Sequence, residues 1–133
     1  MPFTLINPES LGAPHGYSNG VLSNGGRLLF IAGQVAWDQN QKITSSDFVE
    51  QFDLALANVI LVVTEAGGTA NDIARLVIYV TSKFDYRNQV KQVGQRYRKH
   101  MGKHFPAMAL VEVKGLLDDA AKVEIEGIAV LSN

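Results

Sequence analysis

Hydrophobic and polar positions along this chain follow two periods, and each change of period marks an element. Tyr17 to Leu22, the turn Asn24-Gly25-Gly26 and Arg27 to Ala32 read as a β-hairpin, because Asn-Gly supplies the positive φ angles of a tight turn. Asp38 to Gln41 (DQNQ) marks a loop. The period then lengthens to that of a helix in SDFVEQFDLALANVILVVTEAGG. Asp47 is placed to cap its first turn, with Glu50 three residues on as in a capping box. Gly67 and Gly68 supply the left-handed stop. Phe48, Phe52, Ala55, Val59 and Val62 form the core stripe, whereas Leu54 and Leu61 fall on the line of Gln51, Asn58 and Glu65. An apolar face that wide predicts cover beyond one sheet.

Ile73 to Val80 is rich in β-branched residues and reads as a buried strand. Tyr86 to Met101 reads as a second helix, ended by Gly102 ahead of Pro106. Two closing strands follow, Ala107 to Val113 and Lys122 to Leu131, with Met108, Leu110 and Glu112 alternating on one face of the first. The order β-β-α-β-α-β-β predicts an α+β domain spanning 1–133, its single sheet covered by two helices on one face. Such a sheet leaves its other face bare, and self-association is the simplest cover.

Composition narrows the classes. At 133 residues, 47% apolar and 19% charged, the chain has the balance of one folded domain and not of a disordered segment. A net charge of -1 gives no general pull towards nucleic acid or an anionic membrane. With no cysteine, disulfides, thiolate nucleophiles and Cys-ligated metals are excluded. MPFTLINPES lacks a basic, then apolar, leader, and no run has transmembrane length, so the expectation is a soluble cytoplasmic protein.

Candidate chemistry is sparse. His100 and His104 have the i, i+4 spacing of a helical metal pair, but Gly102 falls between them and no carboxylate stands near, so no metal site is expected. Arg96, Arg98, Lys99 and Lys103 crowd the same region, where cations complement a helix C-terminus; RNA contact is the alternative use. No phosphate loop or nucleophile elbow is present, and no cofactor is implied. Ala32-Gly33-Gln34 ends a strand with a glycine, which lets backbone approach a ligand. VEIEGIAV puts Glu124 and Glu126 on one face of a strand. Two such acids are either a solvated face or include a buried acid with a raised pKa, suited to proton transfer.

GYS at Gly16, GRLLFIAGQ, EQFDLALANVILVVTEAGG, FPA, VEV and VEIEGIAV together resemble the Rid family, also called YjgF and once labelled L-PSP endoribonuclease. The resemblance runs from about Tyr17 to Val130. It implies a chorismate-mutase-like fold and a homotrimer whose sheets line a central barrel, with ligand sites in the clefts between subunits. For the best-known branch it also implies hydrolysis of reactive enamines and imines to a keto acid and ammonia. Carried over residue by residue, Tyr17 matches the site tyrosine, Gly33 with Gln34 the strand-end motif, and Glu124 the acid that positions the attacking water. Four positions depart. Ala32 replaces a serine, Leu110 replaces a cysteine or small residue, Lys91 aligns with an asparagine, and Met108 stands where the deaminating branch has an arginine.

That arginine grips the substrate carboxylate through two hydrogen bonds, which a thioether cannot do. Losing such a pair costs roughly a hundredfold or more, at about 1.5–3 kcal/mol per charged hydrogen bond. The pocket expected from Tyr17, Gly33, Gln34, Lys91, Met108, Leu110 and Glu124 therefore suits a larger or less anionic substrate. Three functions follow, in this order: an imine or enamine deaminase with Glu124 and Tyr17 as catalytic residues, a non-catalytic small-molecule-binding or regulatory trimer, and an endoribonuclease.

Overall fold

A computed structural model describes residues 3–133. Four strands build its main sheet in the order β3-β6-β4-β5: β3 is Arg27–Gln34, β6 Val123–Leu131, β4 Ile73–Val80 and β5 Ala107–Glu112. β6 runs antiparallel to both β3 and β4, while β4 and β5 are parallel. A parallel pair needs a long crossover, supplied here by α2 (Lys83–Asn88) and α3 (Val90–Met101). The longest helix, α1 (Phe48–Glu65), packs on β3 and β6, and α3 packs on α1. The core lies between: Phe52, Leu56 and Val59 of α1 meet Leu76, Ile125 and Ala129 of the sheet, with Tyr97 and Met101 closing it from α3. The architecture is the α+β class that the pattern predicts.

The ends of α1 follow the sequence cues. Asp47 accepts a hydrogen bond from the Glu50 amide at 3.0 Å. The Glu50 carboxylate turns instead to the Ser45 hydroxyl, so the reciprocal half of the capping box is absent. At the far end Gly67 (φ 92°) donates to Thr64 O and Gly68 to Val63 O, the paired bonds of a glycine-terminated helix. Val63, and not Val62, completes the buried stripe. Gln51, on the polar line by sequence, is fully buried: its amide donates to Ser45 O and Ala120 O and accepts from the Lys122 amide. Three bonds satisfy the side chain and tie α1 to the entry of β6.

Two expectations are corrected. The expected hairpin does not form. The first of its strands, β2 (Gly20–Ser23), pairs with an additional strand, β1 (Phe3–Ile6), and β3 pairs with β6. Gly25 and Gly26 do take positive φ (105° and 113°), but they pass the chain from one sheet to the other. The second helix, expected unbroken from Tyr86, starts earlier and breaks at Gln89 (φ -124°, ψ 24°). Ser82 caps the early start by accepting from the Asp85 amide at 3.2 Å.

Candidate functional site

A cleft of about 470 Å³ opens beside β5. Its outer lip is the segment 15–17, which is held by its neighbour Ser18: the amide donates to Pro106 O at 3.0 Å and the hydroxyl to Phe105 O at 2.6 Å. That clamp sets Tyr17, 38% exposed, over Met108 and Leu110. The walls are Phe52, Tyr86, Tyr97 and Phe105, so the cleft is largely apolar. Tyr97 stacks on Phe105 with centroids 5.4 Å apart, and its hydroxyl donates a hydrogen bond to His104 O at 2.7 Å. Burial pushes its pKa well up, so Tyr97 stays neutral and serves as wall rather than base.

One cation reaches this cleft from α3. Arg98 is among its lining residues, as is Gly94 one turn earlier. A Cβ on Gly94 would come within 3.2 Å of the Arg98 Nη1, so the guanidinium lies close over the glycine. The sequence pattern grouped Arg98 with its basic neighbours; the signal for its place beside the cleft was a glycine and an arginine at i, i+4 on one helix face. Lys91 is exposed and does not line the cleft.

The acid lies elsewhere. Between Ile31↔Gly127 and Gln34↔Ile125 the β3–β6 register shifts, with Ala32 and Gly33 opposite Glu126 alone. Such a bulge re-aims neighbouring groups. The Glu124 carboxylate lies over Gly33 so closely that any Cβ there would collide with it. A side chain at Gly33 would have to displace the Glu124 carboxylate. Gln34 donates to Ala32 O at 3.1 Å. Next along, Tyr79 donates to the Glu126 carboxylate, and that bond, with burial and the charges of Glu126 and Glu124, raises the tyrosine's pKa.

Register divides these groups between the two faces of the sheet. Met108 and Leu110 lie opposite Leu76 and Ile78, which face the helices. Glu124 and Glu126 lie opposite Tyr79 and Val77, of the alternate parity, so they face away from the helices. Within one chain Tyr17, Met108 and Leu110 come together, and so do Gly33 and Glu124, but the two groups do not meet.

The basic residues at the end of α3 are largely engaged. Arg96, Lys99 and His100 all bind Asp53 of α1 (Arg96 at 2.7 Å, Lys99 at 3.1 Å). Burial would raise the Asp53 pKa, but hydrogen bonds from His100, Arg96 and Lys99 outweigh it and hold the group at about 2. His104 turns to Ile73 O at 2.7 Å, away from His100's partner.

Comparison with known proteins resolves the family. The model of the family described as Endoribonuclease L-PSP matches residues 8–131. The chain belongs to the Rid (YjgF) family. A RutC family protein of Pyrococcus horikoshii is 30% identical over 128 residues, covering 96% of this chain and 94% of its own length. TdcF of Escherichia coli, a candidate reactive intermediate deaminase, is 30% identical over 110 residues (80% and 81%). Among solved structures, the Rid family protein YyfB of Yersinia pestis superposes with a TM-score of 0.88 at 32% identity, covering 98% of this chain and all of its own. TdcF with bound serine superposes with a TM-score of 0.70 at 31% identity, covering 91% and 92%. Among the described residues of this Rid chain, no helix is long and apolar enough to cross a membrane.

Proposed function

We propose that this Rid protein is a cytoplasmic homotrimer that hydrolyses a reactive imine or enamine to a carbonyl compound and ammonia. The substrate differs from the small amino acid-derived enamine of the arginine-bearing branch. What carries this reading is the Glu124 carboxylate packed over the Gly33 bulge, on the face of the sheet that the helices leave open. Membership of a family that includes TdcF supports the reaction class.

Assembly follows from the same face. Leu28 and Phe30 stand 62% and 71% exposed on β3, and Leu54 and Leu61 are exposed on α1. Three sheets closed around a barrel cover Leu28 and Phe30 and bring one subunit's Glu124 to the Tyr17 cleft of the next. An enamine first tautomerises to the imine by gaining a proton on carbon and losing one from nitrogen to solvent. Glu124 then takes a proton from water as its oxygen adds to the imine carbon, and the C=N electron pair passes to the nitrogen, which takes a proton from solvent. Glu124 returns its proton to that nitrogen while the carbinolamine hydroxyl loses its own to solvent, and C–N cleavage leaves C=O and ammonia. Tyr17 and the Gly33 backbone position the substrate at the rim, while Met108 and Leu110 form the floor.

One observation favours a second reading: Met108 and Leu110 leave β5 without a cation in the cleft, as in a trimer that binds a small molecule without turning it over. The endoribonuclease reading loses ground, because Arg96, Lys99 and His100 are spent on Asp53. Light scattering together with ammonia release from a panel of freshly generated imines tests the proposal. A trimer releasing ammonia well above the uncatalysed rate from at least one of them is expected; a monomer, or a trimer inert on all, rejects it.

A further inference from the structure

Arg98 stands apart from the other cations of its helix. Arg96 and Lys99 are both bound to Asp53, whereas Arg98 has no hydrogen-bond or ion-pair partner among the described residues. Its guanidinium lies against Gly94 at the edge of the cleft, and among the described residues no aspartate or glutamate lines that cleft. A planar guanidinium with free donors, next to an apolar cavity and without a local acid, is a carboxylate receptor.

We propose that Arg98 is the specificity-determining residue of the cleft and selects ligands with a carboxylate at one end and an apolar or aromatic body. The geometry sets the length. Met108 and Leu110 on β5 form an apolar floor, and the cation enters from α3, so the anionic end is held away from β5. The aromatic walls Tyr86, Tyr97 and Phe105 suit an aryl or long alkyl body. This inference names the substrate class for the proposed hydrolysis and rests on that reading only for turnover, since the binding it asserts needs no catalysis.

The test is therefore a binding measurement on the full chain. Calorimetric titrations compare 4-phenylbutyrate with its primary amide, which has the same shape and no charge. Wild type is expected to prefer the acid by about fivefold to tenfold, the range for a charged hydrogen bond partly open to solvent. Arg98→Gln is expected to abolish the preference and leave amide binding unchanged, and Arg98→Lys to retain part of it. Arg87→Gln removes another exposed arginine, on α2, and is expected to keep the preference in full. Equal affinity for acid and amide in wild type, no binding of either, or a preference that survives Arg98→Gln overturns the proposal. If the preference behaves as stated but no imine is hydrolysed, the proposed reaction fails and the carboxylate receptor stands.

Discussion

The two faces of the sheet are built from neighbouring residues of the same strands, yet they carry opposite chemistry. On the helix face, Leu76, Ile78, Met108 and Leu110 merge into the core and floor an apolar cleft, whose one arginine comes from α3. On the open face, Tyr79, Glu124 and Glu126 form a polar strip, with exposed Leu28 and Phe30 on β3. A strand's two-residue period allows this separation and also enforces it: no single chain can bring Glu124 to Met108 through its own sheet. The comparison teaches that one subunit keeps its apolar cleft and its acids on opposite faces of one sheet. Under the proposed reaction Glu124 meets the cleft only across a second copy, so assembly and activity should fail together.

The sharpest break is at the open face. Phe30→Glu puts a charge where the barrel would close, and we expect it to shift the protein to monomer by light scattering and to reduce hydrolysis to background. A trimer with unchanged activity would remove the link between the two faces. Second in size is Glu124→Gln in the intact trimer, expected to lower turnover by about a hundredfold or more while ligand binding changes little. Gly33→Ala should act through the same carboxylate by pushing it from its place, with a loss of roughly tenfold to a hundredfold. If Gly33→Ala costs nothing, the position of Glu124 is not part of the chemistry.

A smaller effect tests the tie beneath the cleft. Asp53 has a folded-state pKa of about 2 against an ordinary 3.8, so its contribution is present above about pH 4 and lost as pH falls towards 2. Allowing for the exposure of Arg96 and Lys99, that contribution is about 1–2 kcal/mol. Urea unfolding should show Asp53→Asn less stable than wild type at pH 6, with the two curves converging below pH 3. Parallel curves would dismiss the cluster as a stabilising tie. Smallest is a gain: Met108→Arg should raise hydrolysis of aminoacrylate from near background by about tenfold, and Leu110→Ser alongside it relieves crowding of the new side chain. Vigorous wild-type turnover of aminoacrylate would mean that Arg98 already reaches so small an acid.

Much of the fold was legible because it rests on local patterns. β4 occupies Ile73–Val80 as read, α1 starts at its aspartate cap and ends at its glycine pair, and β6 alternates between buried and half-buried from Val123 to Ala129. The errors have a common cause. Whether β2 pairs with β3 or β1 depends on which edges are available, and Asn-Gly-Gly is compatible with either. Gln51 looked polar and exposed, but the loop before β6 folds over it and satisfies its amide.

Of the candidate site, the sequence by itself determined the chemical inventory: a methionine and a leucine on β5, two acids on β6, a glycine at the end of β3, and a tyrosine ahead of β2. These are fixed by residue identity and a two-residue period, both readable without coordinates. Only the tertiary structure decided which of them share a space. Strand order and register put Tyr17 with Met108 and Gly33 with Glu124 on separate faces, and helix packing assigned Arg96, Lys99 and His100 to Asp53 while turning Arg98 to the cleft. The reason is that hydrophobic pattern specifies which face of an element is buried, whereas the partner of a charged side chain depends on long-range contacts that no local period encodes.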